Sequence, residues 1–279
     1  MEYFRFWPVC VALGWAFFHC AGRFSSYLLV PASARKTTIQ AWKWKNVSVS
    51  FLHSLITGTG ACVEFYFYPA MAADVIHSYS MSSHILVSFS IGYFIHDALD
   101  MALNNMKKST YELLVHHVLV ILCFGLAAVS GQYLGYALVA LVIEVNSVFV
   151  HVRQMLIVQG MAKHAKPYRL NSLLNVATFL VFRITTMGWM TRWLVVNRDV
   201  VPLPAYTLGS VALATLMVMN IVLFFRILYA DFRKAKRDGS GAATRPSASG
   251  GGPSDRIQST IRRLVRGTEE EEVLSGKTD

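Results

Sequence analysis

The chain has 279 residues, 54% hydrophobic and only 15% charged, with a formal net charge of +10. Soluble domains carry about a quarter charged residues, so this balance excludes an ordinary soluble enzyme and points to a membrane. The positive charge does not indicate nucleic acid, because the cations lie in short loops and a tail and form no single basic face.

Seven stretches of about 20 mostly apolar residues, each long enough to cross a bilayer as helix, follow in chain order. They are Pro8–Val30, Val47–Tyr68, Ser83–Leu103, Tyr111–Ser130, Gln132–Ile157, Leu170–Val196 and Pro204–Tyr229. Their periodicity is helical or uniformly apolar, and the alternating ten-residue segments of a barrel are absent. The expected fold is all-α, a polytopic membrane helical bundle of about seven transmembrane helices with six in a core over residues 41–230. Residues 1–34 read as a first transmembrane helix. Ala32-Ser33-Ala34 gives that segment a second reading as a signal peptide, but its length and the internal His19 and Arg23 favour retention. Residues 231–279, rich in Gly, Ser and Pro, then basic at Arg262, Arg263 and Arg266, then acidic at Glu269–Glu272, read as a disordered tail.

Cations mark one side of the membrane. The loops 31–46, 104–110 and 158–169 and the start of the tail hold Arg35, Lys36, Lys43, Lys45, Lys107, Lys108, Lys163, Lys166, Arg169, Arg233, Lys234, Lys236 and Arg237. The alternate segments hold only Arg5 and Arg198. The positive-inside rule places the N-terminus outside and the tail in the cytosol. Asn46-Val47-Ser48 is a glycosylation sequon that this topology leaves unmodified. Cys10, Cys20, Cys62 and Cys123 all fall in apolar stretches and read as small buried hydrophobes, without a disulfide framework.

His116 and His117 stand about six residues inside the fourth stretch, roughly 9 Å deep at 1.5 Å per residue. An ionisable pair at that depth is a functional-site candidate when it faces protein or water. Adjacent helical residues point about 100° apart, so one ring can face a cavity while a neighbouring helix holds the other. Other spans bring polar groups to the same half of the bilayer: His53 from the second, His96, Asp97 and Asp100 from the third, Glu144, Ser147 and His151 from the fifth, and Asn171, Asn175 and Arg183 from the sixth. One charge at the bilayer centre costs about 2.5–3.5 kcal/mol on insertion scales. A shared hydrated pocket in which some charges neutralise one another is the economical arrangement. The plainer alternatives are an Arg183–Glu144 ion pair, helix contacts for His53, His96 and His151, an interfacial Glu64 and solvated Lys107 and Lys108. No helical His-x-x-x-His or His-x-x-His-His spacing occurs, and neighbouring His116 and His117 cannot readily chelate one ion, so no metal and no cofactor is expected.

Gly92-Tyr93-Phe94-Ile95-His96-Asp97, Leu114-Val115-His116-His117-Val118 and Glu144-Val145-Asn146, in this order and spacing, resemble the TLC (TRAM-LAG1-CLN8) family over roughly residues 41–230. Trp42-Lys43-Trp44-Lys45-Asn46, the Pro69–Asp74 loop and Phe182-Arg183 strengthen the likeness. The resemblance implies a lipid-handling helical bundle. In the ceramide synthases of that family a His-His pair with acidic residues performs acyl transfer. Carried over here, His116 and His117 are the catalytic pair, one as base or transient acyl acceptor and the other as orienting group. Where those synthases carry His-Asp-x-x-Asp, this chain reads Ile143-Glu144-Val145-Asn146-Ser147, which speaks against ceramide synthesis itself.

The expected catalytic set is therefore His116, His117, Glu144, Asp97 and Asp100, and the expected substrate-binding set is His53, His96, Asn146, His151, Asn175 and Arg183. The resemblance further implies a role in phospholipid acyl composition and membrane fluidity, with membrane lipids as partners and acyl-CoA as an available substrate. Its implied location is the plasma membrane, with the endoplasmic reticulum as the alternative. The competing classes are a His-dependent acyltransferase and a non-enzymatic auxiliary subunit of a channel or other membrane protein. A seven-helix receptor is disfavoured by the lack of an Asp-Arg-Tyr-like end to the third span.

Overall fold

The computed structural model describes residues 6–28, 30–105 and 108–233. The expectations for Lys107, for the side chain of Lys108 and for the tail from residue 234 onward lie outside these residues. Ten α-helices follow in order: α1 (Trp7–Leu28), α2 (Thr38–Phe67), α3 (Ala70–Ala73), α4 (Met81–Asn104), α5 (Lys108–Ser130), α6 (Leu134–Val142), α7 (Glu144–Val158), α8 (Lys166–Thr178), α9 (Thr186–Val196) and α10 (Leu203–Leu228). A π-helical segment, Phe179–Thr185, joins α8 to α9. No strand occurs among the described residues. The protein is a helical, multi-pass membrane protein.

Among the described residues, five segments are long and apolar enough to cross a membrane: Met81–Asn104, Thr110–Ser130, Leu134–Val158, Lys166–Val196 and Leu203–Asp231. The other two apolar stretches, α1 and α2, have the length, at 22 and 30 residues. They carry more polar groups, namely His19 and Arg23 in α1 and Asn46, His53 and Glu64 in α2. The loop expected at 31–46 is shorter than its charge pattern suggested. Thr37 caps α2 by accepting the Gln40 amide (3.2 Å), so helix begins at Thr38 and takes Lys43 and Lys45 into its first turns. The four cysteines are unpaired, but Cys20 and Cys62 are exposed, where burial was expected.

The chain divides into two compact units, Met1–Asn220 and Ile221–Asp279. In the first, α4 packs on α1, α2, α5 and α6, while α2 also packs on α7. The main core is apolar: Phe18, Val49, Val87, Ile91, Phe94, Phe124, Leu134, Leu138 and Leu141 lie within it. A smaller cluster gathers Val75, Ile76, Met190, Leu194, Val201 and Leu213. The second unit contributes the last turns of α10 and the π turn Tyr229–Arg233.

Between helices in lipid there is little hydrophobic drive, so association depends on close packing over small residues. The α1–α4 contact shows this. A Cβ built on Gly14 runs into the backbone of Phe89, and one on Gly92 runs into the backbone of Val11 and Trp15. Gly125 on α5, in contrast, has nothing within 4 Å of a built Cβ. The corner between α5 and α6 uses positive φ at Gly131 (65°) and Tyr133 (62°), and the Tyr133 amide donates to the Ile76 carbonyl at 2.7 Å. In the loop before α4, Asp74 accepts amides from His77 and Ile76, and those bonds hold its carboxyl below the ordinary carboxylate range.

Gly14→Val or Gly92→Val is expected to separate α1 from α4 and destabilise the protein by about 1–3 kcal/mol or more. Thermal unfolding in detergent checks this, with Gly125→Ala unchanged as the control.

Candidate functional site

Four helices meet around Asp97. The carboxylate of Asp97 on α4 is 3.0 Å from Nε2 of His117 on α5, with the two side chains 4% and 3% exposed. Its other oxygen accepts Nδ2 of Asn46 from α2 at 2.6 Å. One turn further along α4, Asp100 accepts the Trp42 indole (2.9 Å) and forms an ion pair with Lys45 (3.0 Å), again from α2. Spacing explains the convergence: Trp42, Lys45 and Asn46 share one face of α2, as Asp97 and Asp100 share one of α4. Gly22 of α1 makes room for this arrangement, since a Cβ there would lie 3.2 Å from the Lys45 stem.

A second cluster forms where two spans depart from regular helix. The span Leu134–Val158 is interrupted at Ile143, and Glu144 opens α7. Facing it, the π turn Phe179–Thr185 carries Arg183. Nε of Arg183 donates to Asn146 Oδ1 (2.6 Å), Nη2 to Ser147 (2.7 Å) and Nη1 to Asn220 Oδ1 (2.6 Å). Asn146 in turn donates to the Asn175 side chain (3.1 Å) and to Thr178 (2.9 Å). Glu144 accepts Ser54 Oγ from α2 at 2.7 Å. Gly58, one turn beyond Ser54, lets α7 approach: a Cβ there would lie 2.8 Å from the Val145 backbone nitrogen. Irregular backbone at membrane depth is tolerated where it is buried in protein or lines a cavity, and π turns are frequent at functional sites.

The two clusters lie within electrostatic reach of each other. His116 lies within electrostatic reach of His117, Glu144, Arg183 and Asp97, and His151 within reach of Glu144, Asp97 and Arg183. Between them sits His53, 1% exposed, stacked on Tyr93 with ring centroids 3.7 Å apart and bonded to Ser90 at 2.8 Å.

The two adjacent histidines differ in kind. His117 Nδ1 lies 2.6 Å from the Leu113 carbonyl, which can only accept, so Nδ1 carries a proton. Nε2 meets Asp97, and the proton between them leaves no nitrogen lone pair free, whichever atom holds it. His116 is partly exposed and makes edge contacts with Phe94 and His117. No hydrogen bond engages its ring nitrogens among the described residues. One histidine is held and the other is available.

Several expected residues lie elsewhere or act differently. His96 turns toward α1, edge-on to Trp15 and His19, with Nδ1 buried and unpartnered, so it does not join the histidine pair. The supposed Arg183–Glu144 ion pair is replaced by neutral partners for Arg183, with Glu144 acting on it at longer range. Glu64 is held by protein hydroxyls rather than left solvated. It is 8% exposed and accepts Ser83 (2.7 Å) and Ser80 (3.3 Å) at the start of α4, where the helix dipole favours a carboxylate. Asn171 donates to the Phe149 carbonyl (3.1 Å), a contact between α8 and α7. Sequence reasoning missed Trp42, Lys45, Asn46, Ser54, Tyr93 and Asn220 as parts of the network. Asn46 was legible as a sequon and as part of the Trp42–Asn46 motif, although its four-residue spacing from both Trp42 and Ser50 also marks a polar face. Among the described residues no group of three or more His, Cys, Asp or Glu side chains is placed to hold a metal.

Comparison with known proteins places this geometry. The TLC domain matches residues 43–229. The chain belongs to the TLC domain family. It is 53% identical over 211 residues to TLC domain-containing protein 2 of Danio rerio, covering 76% of this chain and 84% of that one. To the Homo sapiens TLC domain-containing protein 2 it is 38% identical, over 75% of this chain and 78% of the relative. To the Homo sapiens TLC domain-containing protein 1 it is 31% identical, over 74% and 82%. The matched TLC region begins at Lys43, inside α2, so it includes Lys45, Asn46, Asp97, Asp100, His117 and the Arg183 cluster and leaves out Trp42 and α1.

Two outcomes test the site. Removing one member of a buried ion pair typically costs about 3–5 kcal/mol, so Asp97→Leu is expected to lower thermal stability sharply, and Asp97→Leu with His117→Phe to recover most of the loss. Because Asn46 Nδ2 is committed to Asp97, endoglycosidase treatment is expected to give no mobility shift tracing to the Asn46 sequon.

Proposed function

We propose that this TLC domain protein sets the acyl composition of membrane phospholipids, and through it membrane fluidity, by binding acyl lipid in the polar pocket around His116. The observation that carries the reading is the asymmetry of the pair: His117 is locked between Asp97 and the Leu113 carbonyl, while His116 keeps free ring nitrogens. An imidazole with both ring nitrogens unbonded, beside fixed polar groups, suits acyl transfer. In that reaction His116 takes the proton of the attacking hydroxyl or amine. Alternatively it attacks the acyl carbonyl itself, releasing the thiol of an acyl-CoA or the alcohol of an ester. Arg183, fixed by three neutral acceptors, contributes positive potential where the carbonyl oxygen gains charge. The site lacks the acid-rich continuation found in ceramide synthases, which directs the reading away from sphingoid acceptors. The plasma membrane is the location this role suggests, with the endoplasmic reticulum as the alternative.

His116→Ala separates this reading from that of a non-enzymatic auxiliary subunit. Since His116 makes no hydrogen bond among the described residues, the variant is expected to retain wild-type abundance and melting temperature. It is also expected to lose the protein's effect on the phospholipid acyl profile of expressing cells, measured by lipid mass spectrometry. His117→Ala is expected to lose both. A wild-type lipid profile from a stable His116→Ala protein would falsify the catalytic role and favour the auxiliary one.

A further inference from the structure

Helix α1 lies outside the matched TLC region, and its seam with α4 carries polar side chains that the His116 cluster does not use. Trp15, His19 and Arg23 follow at i, i+4 and i+8, so they form one row along α1. The Trp15 and His19 rings are stacked, with centroids 5.2 Å apart. His96 of α4 meets both edge-on, at 6.4 Å from Trp15 and 5.9 Å from His19. It is 6% exposed, and its Nδ1 is buried without a partner. Among the described residues no hydrogen bond engages His96 Nε2, the His19 ring or the Arg23 guanidinium.

The row borders lipid. Leu13, Phe17 and Phe24 are exposed on α1, as are Leu99 and Leu103, three and seven residues beyond His96 on α4. Arg23 is exposed among them and His19 half-buried. Ionisable side chains on such a surface are costly unless a polar group meets them. Asp100, one turn beyond His96, is already committed to Lys45 (3.0 Å) and Trp42 (2.9 Å). The polar end of a lipid is the group that can reach a site flanked by exposed leucine and phenylalanine.

Spacing selects the lipid. Arg23 lies four residues nearer than His19 to the end of α1, about 6 Å along the axis. That end leads to the turn Ala34–Lys36, where Arg35 and Lys36 are exposed. A glycerophospholipid offers the matching pair of groups, a phosphate at the polar boundary and ester carbonyls one glycerol unit deeper. Guanidinium suits phosphate, and an imidazole N–H can donate to an ester carbonyl. A sterol or diacylglycerol lacks the anion that complements Arg23.

We propose that the α1–α4 seam binds one glycerophospholipid, with its phosphate on Arg23 and an ester carbonyl at the imidazoles of His19 and His96. The site lies on the α1 side of α4 and does not rest on the acyl-handling reading above.

Delipidated full-length protein in detergent, titrated with phosphatidylcholine and read by native mass spectrometry, tests the inference. One phosphatidylcholine is expected to stay bound, severalfold more tightly than diacylglycerol. Arg23→Gln and His19→Phe are each expected to cut its retention severalfold, and His19→Leu covers the case in which the phenylalanine ring disturbs the stack. Arg192→Gln, which removes an exposed cation near the end of Lys166–Val196, is expected to leave retention unchanged. Equal retention of diacylglycerol, or retention unmoved by Arg23→Gln or by both His19 substitutions in folded protein, overturns the proposal. An equal loss in Arg192→Gln also overturns it, reducing Arg23 to an ordinary interfacial charge. Displacement by inorganic phosphate overturns it in favour of a free anion. His116→Ala is expected to keep the lipid, and a loss in that folded variant overturns the proposal by moving the lipid to the His116 cluster. Intact retention supports the seam whether or not His116→Ala changes the phospholipid acyl profile, so the two readings fail separately.

Discussion

The contact between Asp97 and His117 organises the rest of this bundle. A carboxylate and an imidazole, each almost fully buried within membrane spans, are tolerable only together, because removing either strands the other in a medium that cannot solvate it. Their 3.0 Å contact ties α4 to α5, and the bond from Asn46 brings in α2. The same pair turns two chemically identical neighbours into unlike groups. Fixing His117 at both nitrogens sets the orientation of the α5 turn and leaves His116 pointing elsewhere with its nitrogens unspent.

Backbone irregularity supplies the second half of the site. A continuous helix through residue 143 would present a regular groove to its neighbours. The interruption at Ile143 instead places Glu144, Asn146 and Ser147 in the opening turn of α7, and the π turn presents Arg183 to the last two. Two distortions facing each other on adjacent spans, joined by the hydrogen bonds of one guanidinium, are each stabilised by the other's polar groups. The small residues Ser54 and Gly58 on α2 permit the approach that completes it.

How much of this was legible in the sequence follows from which signals are local. The apolar stretches and the depth of His116-His117 are properties of composition and spacing, and helices lie where they indicated. The convergence of Asp97, Glu144 and Arg183 followed from the cost of stranded charge in lipid, and the structure brings all three within electrostatic reach of His116 and His151. Pairings between helices were less accessible. Arg183 and Glu144 looked like natural partners because they are opposite charges at similar depth, yet neutral amides hold Arg183, and a serine holds Glu144. His96 shares α4 with Asp97 and still faces α1, because adjacent helical residues point about 100° apart. The break at Ile143 and the π turn have no signature in glycine or proline: neither residue lies within 141–147 or 179–185. Tertiary hydrogen bonds produce both, and those are invisible to pattern.

Charge balance constrains the chemistry more tightly than any single contact. Asp97 is compensated by His117, Asp100 by Lys45, and Glu144 by the Ser54 hydroxyl and, at longer range, by Arg183. Among the described residues each acid of the cluster therefore has a cationic or hydrogen-bonding counterpart. On the proposed acyl-handling role, the substrate would bring a polar carbonyl to this cluster and an apolar tail that the hydrocarbon around the spans accommodates without the cost of stranding a charge.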